Sequence, residues 1–451
     1  MELICRTLKI TILLFAALSS LAVVAQPLDD ADSKVLFTNV NVFDGQNDEL
    51  IENVNVLVEG NLITSISSSP IDATDAETIA GNGKTLMPGL IDAHAHITFN
   101  NLPKAQLLSV SQNYMQIRAA AYADDFLMTG FTSVRDLAGN TFGLKKAIDE
   151  GLIVGPRIWP SGAMISQTSG HGDFRGLNDL PGAALDDAPW FTRAGLGIVA
   201  DGVAEVRRAV REQLMQGASQ VKLAAGGGVS SDYDPIDVTE YSEAELAAAV
   251  GAAEDWGTYV AVHAYTPRAI KRAIEAGVKC IDHGQLLDED TLKLMAKRGV
   301  WFSSQPFLED EDAIPTAPGS ANELKYKQVA AGTAETYRLA KKHGVKIAFG
   351  LDMQFNPDGI VRQAYYLPKM TNWFTPAETL KMATHDNAEL LAMSGPRNPY
   401  QGKLGVVEEG ALADLLLVDG NPLTNIKLLE NPSKNFLVIM KDGKVYKNTV
   451  M

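Results

Sequence analysis

With 451 residues, 46% of them hydrophobic and 21% charged, the chain has an ordinary globular composition, with room for one large domain and a smaller one. Lysine and arginine number 39 against 55 aspartates and glutamates, a formal net charge of −16. No basic cluster or aromatic-basic interleaving is present to track phosphates, which excludes nucleic acid as a partner, and the acidic balance favours solubility without selecting a substrate.

In MELICRTLK, Arg6 and Lys9 precede the apolar run ITILLFAALSSLAVVA, and Val23-Val24-Ala25 before Gln26 has the small-residue spacing of a signal-peptidase site. A membrane anchor needs roughly 20 apolar residues, and this run is shorter. Residues 1–25 therefore read as a cleaved secretory leader, and the mature protein as periplasmic with no stable membrane anchor. Cleavage removes one acid and two bases, taking −16 to −17. It leaves Cys280 as the sole cysteine, so no intrachain disulfide is expected despite the oxidising compartment.

Residues 35–86 form short β-like segments, VLFTNVNVFDG, ENVNVLVEGNLITSI and AETIAGNGKTLMPG, with turns at Asp44-Gly45 and Glu59-Gly60-Asn61. They predict a small antiparallel unit. From residue 89 apolar strands alternate with amphipathic helices, the pattern of parallel βαβ units. The strands read at 90–97, 132–139, 157–166, 220–228, 259–265, 280–285, 301–307 and 346–353. Helical stretches such as VAEVRRAVREQLMQG and PRAIKRAIEAG end near glycines that suit C-caps. Eight repeats predict a (β/α)8 TIM-like barrel over 89–396, with its active site at the C-terminal strand ends. Strand-like segments return as GKLGVVEEG, ADLLLVDG and FLVIMKDGKVYK. The expected class is therefore α/β, the barrel being flanked by a small β-sandwich domain built from 26–88 and 397–451.

Four of the seven histidines lie on these strands: His94 and His96 in GLIDAHAHI, His263 in YVAVHAY and His283 in KCIDHGQ. His94 and His96 are one residue apart, so both leave the same face and can grip one metal. His263 and His283 end consecutive strands at the same barrel mouth and would hold a second. Lys222, between Val221 and Leu223, is as an ammonium only a donor. Buried beside cations its pKa falls, and the neutral amine can take up carbon dioxide as a carbamate with one oxygen for each metal. The alternative pairs Lys222 with Asp232 or Asp234, or with a substrate carboxylate. Asp352, ending the eighth strand, reads as a metal ligand and the general base, or else as a helix-cap acid. Zinc suits this nitrogen-oxygen set best, and manganese, cobalt and nickel also fit it.

His171, in the Gly-rich loop ISQTSGHGDFRG after the third strand, is a candidate for polarising the scissile carbonyl or meeting a substrate carboxylate; the alternative is an exposed loop histidine. Tyr233 in SSDYDP and Arg175 are further candidates, the first for a developing oxyanion, the second for a carboxylate; surface solvation is the alternative for both. His343 and His385 read as structural.

The run MPGLIDAHAHI, the strand-four lysine, one histidine on each of strands five and six, the aspartate ending strand eight and the late GALADLLLVDGNP together resemble the amidohydrolase superfamily over nearly the whole mature chain. The resemblance is to its binuclear, carboxylated-lysine branch of prolidase-like enzymes. It implies two divalent ions, N6-carboxylysine at Lys222 and hydrolysis of an amide next to a C-terminal amino acid by water activated between the metals. Such substrates are Xaa-Pro dipeptides or N-acyl amino acids, ochratoxin-like amides included, and the family leans to homo-oligomers. A lactonase or phosphotriesterase would use the same centre, whereas related deaminases resemble a one-metal variant without the lysine. A non-catalytic scaffold would not need all six ligand candidates.

Overall fold

The computed structural model describes residues 33–176, 189–313 and 316–450; the expected leader lies outside them. Among the described residues no helix is long and apolar enough to cross a membrane. Barrel strands occur in the expected order: Leu90–Ala95, Phe131–Asp136, a third strand in two pieces (Arg157–Pro160 and Met164–Ser166), Val221–Ala224, Val260–Ala264, Cys280–His283, Trp301–Ser304 and Ile347–Phe349. Their pairings are parallel. Each strand is shorter than the apolar run that announces it, because the run continues into the loop above. His96 and Asp352 lie in those continuations.

The third strand breaks at Gly162, whose φ of +72° is one that L side chains rarely adopt. Its first piece pairs with the second strand; its second pairs with the fourth and with an added short strand, Gly197–Val199, absent from the sequence reading. Gln220 spans the break, Nε2 donating to Trp159 O at 2.9 Å.

Between the eighth and first strands a side chain replaces the ladder. Asn387 Nδ2 donates to Ile91 O at 2.6 Å and to Phe349 O at 2.7 Å, while its Oδ1 accepts the Phe349 N–H at 2.9 Å. Asn387 is buried and directly follows a π-helical turn, Met382–Asp386; such bulges re-aim the residues around them. Asn387→Ala would strand three buried backbone groups, and we expect a loss of about 3 kcal/mol, read as a lower denaturant midpoint.

The terminal segments share one eight-stranded sheet, in the order Lys444–Asn448, Phe436–Lys441, Leu415–Val418, Thr85–Pro88, Lys34–Val42, Ile51–Glu59, Leu62–Ser67, with Glu77–Ala80 against Lys34–Val42. Its N-terminal part is mixed rather than antiparallel. Glu77–Ala80 and Thr85–Pro88 run parallel to successive stretches of one edge of Lys34–Val42, since that nine-residue strand offers more edge than either four-residue partner covers. The sheet bends until its far parts meet: Leu62 bridges Leu412, and the Ile63 N–H donates to Ala411 O at 2.9 Å. Alternate residues of Leu415–Val418 divide between two cores. Leu415 and Leu417 join Val56, Ile63 and Met440, while Leu416 and Val418 join Leu90 and Phe131 of the barrel. A strand buried on both faces reads as an unbroken apolar run, which explains ADLLLVDG. Arg157 ties barrel to sheet, with Nε and Nη2 donating to Asp414 at 3.0 and 3.1 Å.

Candidate active site

One recess at the C-terminal mouth of the barrel is lined by His94, His96, His171, Lys222, His263, His283 and Asp352, with Phe99, Met164, Phe174, Ser230 and Gln354 completing its wall. All six ligand candidates, contributed by five strand ends, are thus brought together, and each is buried. His96 Nε2 lies 3.0 Å and His94 Nε2 3.4 Å from Asp352 Oδ1. The ring centroids of His94 and His283 are 4.9 Å apart, and those of His263 and His283 4.4 Å.

Local backbone sets this geometry. A Cβ on Gly350 would sit 2.6 Å from His94 Cβ, so only glycine lets the eighth strand approach the first closely enough. Just beyond, the Asp352 N–H donates to His94 O at 2.8 Å. Asp352 and His283 both hold left-handed φ values, +49° and +78°. Strain of that kind in non-glycine residues persists where the surroundings enforce it, commonly at functional sites.

The donor set fits divalent cations. His94, His96 and Asp352 each offer a ligand atom, all within 4.8 Å of one another, which matches a single ion bound by nitrogen and oxygen. His263 Nε2 faces Gly227 O at 3.1 Å and His283 Nδ1 faces Gln305 Oε1 at 2.8 Å. Each of these rings has its other nitrogen left for a metal, and the outer partner fixes its orientation.

Burial keeps the imidazoles neutral, the form that ligates: His94 is pushed down to about 4, and His263 and His283 well below the ordinary histidine value. Burial alone would raise the Asp352 carboxyl, but His94, His96 and His283 together hold it below the usual carboxylate range. Lys222 pairs with neither Asp232 nor Asp234. Its Nζ donates to Asp282 Oδ2, whose other oxygen accepts from Arg135 Nη2 at 2.7 Å. Burial still lowers the Lys222 ammonium below its ordinary value, against the pull of Asp282.

Residues 85–446 match the model of the Amidohydrolase family. The chain belongs to that family. Amidohydrolases similar to it include an ochratoxinase of Aspergillus niger, 34% identical over 80% of this chain and 75% of that protein. Among solved structures, a prolidase complexed with N-methylphosphonate-L-proline superposes with a TM-score of 0.85 at 36% identity, covering 92% of this chain and all of that one. A Xaa-Pro dipeptidase with methionine bound in its active site superposes at 0.79 with 32% identity, again over 92% of this chain and 100% of the other.

As an amidohydrolase the chain is a hydrolytic enzyme of carbon–nitrogen bonds, and its remaining candidates sort by position. His171 is in the recess. Tyr233 is 44% exposed and does not line it. Arg175 donates from Nε and Nη2 to Asp173 at 2.8 and 2.6 Å. His343 sits 2.7 Å from Glu289, and His385 2.8 Å from Asp386, both away from the recess. Asp282, Arg135 and Gln305 were missed. Asp282 directly precedes His283, and that adjacency was the only available signal for it.

Proposed function

We propose that this enzyme cleaves the amide bond preceding a C-terminal amino acid, in Xaa-Pro dipeptides or N-acyl amino acids of the ochratoxin type. The observation that carries this reading is the convergence of four buried histidines, an aspartate and a buried lysine on one recess, in a chain similar to enzymes named for such substrates. Two divalent ions, zinc by donor type, would supply a Lewis acid for the carbonyl and a more acidic attacking water. His94 and His96 with Asp352 would hold one ion, and His263 and His283 the other.

Addition of carbon dioxide to the neutral Lys222 amine would form an N–C bond and release a proton, and the N6-carboxylysine would supply anionic oxygen ligands where an ammonium supplies none. Asp352, kept ionised by its histidines, accepts the proton of the attacking water and passes it to the departing amine. His171 meets the substrate from the third loop. The N-terminal apolar run supports export of a processed enzyme to the periplasm, and the family resemblance supports a homo-oligomer.

The test is a screen of zinc-loaded mature chain on Xaa-Pro dipeptides, N-acyl amino acids, lactones and phosphotriesters, before and after dialysis against a chelator. Amides should be turned over with the highest kcat/KM, and chelation should abolish the activity until divalent metal is returned. A preference for lactones or phosphotriesters would overturn the assignment.

A further inference from the structure

The ring of His171 stacks on that of His263, centroids 3.8 Å apart and 13° from parallel. Its Nδ1 lies 2.8 Å from Ser231 Oγ, and the Ser231 hydroxyl lies 2.6 Å from Asp234 Oδ2. The hydroxyl's other acceptor, Gly228 O, is farther, at 3.3 Å, and uncharged; a short bond to a carboxylate is the stronger one. Having one proton and giving it to Asp234, Ser231 can meet His171 only as an acceptor, which puts the imidazole proton on Nδ1.

The supports of this chain are themselves held. Asp234 is 1% exposed, and its Oδ2 also accepts the Gly228 N–H at 2.6 Å. Lys325, from the long helix Ala321–Lys342, donates to the carbonyls of Gly228, Ser231 and Asp234 at 3.0, 2.9 and 2.8 Å. On the opposite side the backbone N–H of His171 donates to Glu240 Oε1 at 2.9 Å. A Cβ at Gly228 would fall 1.8 Å from His171 Nδ1, so the ring rests against bare backbone. No hydrogen bond engages His171 Nε2 among the described residues, and the residue lines the recess.

We propose that Ser231 and Asp234 are positioning residues, which fix His171 with its proton on Nδ1 and turn Nε2 toward bound substrate. The proposal rests on the amide-cleaving reading only for the identity of the molecule that Nε2 meets. Misaligning a group held for catalysis costs on the order of 100-fold. Ser231→Ala should lower kcat/KM by roughly 10- to 100-fold, mostly in kcat, with zinc content per chain unchanged. Ser231→Thr, which restores the hydroxyl, should recover most of the loss. In a His171→Phe background, which keeps a ring stacked on His263, Ser231→Ala should add nothing.

A second measurement needs no substrate. In zinc-loaded protein labelled with 15N-histidine, the signal missing from His171→Phe should show a protonated Nδ1, and Ser231→Ala should alter it. A bare Nδ1 in the parent protein would overturn the proposal. So would a Ser231→Ala enzyme within twofold of the parent, or a loss that adds to that of His171→Phe. If no acyl amino acid is turned over, the substrate reading has failed, and the nitrogen spectrum alone decides the positioning role.

Discussion

Asp352→Asn should lower kcat by about 1,000-fold while leaving most of the bound metal in place. The expectation follows from what asparagine keeps and what it loses. The backbone conformation at this position, φ +49°, is one that asparagine tolerates better than most residues, and the N–H that donates to His94 O is unaffected. One side-chain oxygen remains to face His96 and His94, which approach Oδ1 at 3.0 and 3.4 Å. The amide, however, carries no negative charge and cannot accept a proton from water at neutral pH. Ligation is weakened and proton transfer is removed. Metal analysis alongside steady-state kinetics checks both halves: an enzyme within tenfold of the parent would assign the base to another group, and complete loss of metal would make Asp352 chiefly a ligand.

The barrel and the ligand candidates were legible because each candidate sits on or just past an apolar strand segment, and strand alternation alone puts His94 and His96 on one face. Partners distant in sequence were not legible. Arg135 and Asp282 are 147 positions apart, and nothing local in TSVRDLAG or KCIDHGQ says that a guanidinium on the second strand crosses the barrel to a carboxylate on the sixth. Asn387 carried no sequence signal of its role, since a π turn and a side chain standing in for a β-ladder leave no periodic trace. Gly162 splits the third strand inside a run that reads as continuous. The candidate Tyr233 rested on its closeness in sequence to the Lys222 strand, but the intervening loop folds back through Asp234 and Lys325 and leaves that side chain near solvent. That same loop carries Ser231 to His171, a pairing across 60 residues that no spacing rule announces.

Lys222→Ala should cost on the order of 10,000-fold in kcat/KM and roughly halve the metal content, while the fold survives. Survival is the less obvious part, since Lys222 is 1% exposed and its ammonium bonds a buried carboxylate. Breaking a buried ion pair is ordinarily destabilising, because the remaining charge is left without compensation. Here the abandoned carboxylate keeps its charge paired through Oδ1, and only Oδ2 loses its donor. Asp282 keeps Arg135, whose Nη2 lies 2.7 Å from Oδ1 and whose Nε donates to Ala93 O at 2.6 Å. The variant thus retains one buried cation and one buried anion in contact. The parent's uncarboxylated state holds two cations against the same anion. Carboxylation would exchange the Lys222 ammonium for an anion beside the buried Asp282, leaving Arg135 as its cation, and such an arrangement is favourable only with divalent cations at the mouth. The proposed carbamate thus predicts a larger effect of Lys222 on metal content than on the folded state. Thermal denaturation, metal analysis and the mass of the intact parent chain test this together. An alanine variant that keeps both metals and full activity would remove the carbamate from the mechanism, and one that fails to fold would show that Arg135 does not suffice for Asp282.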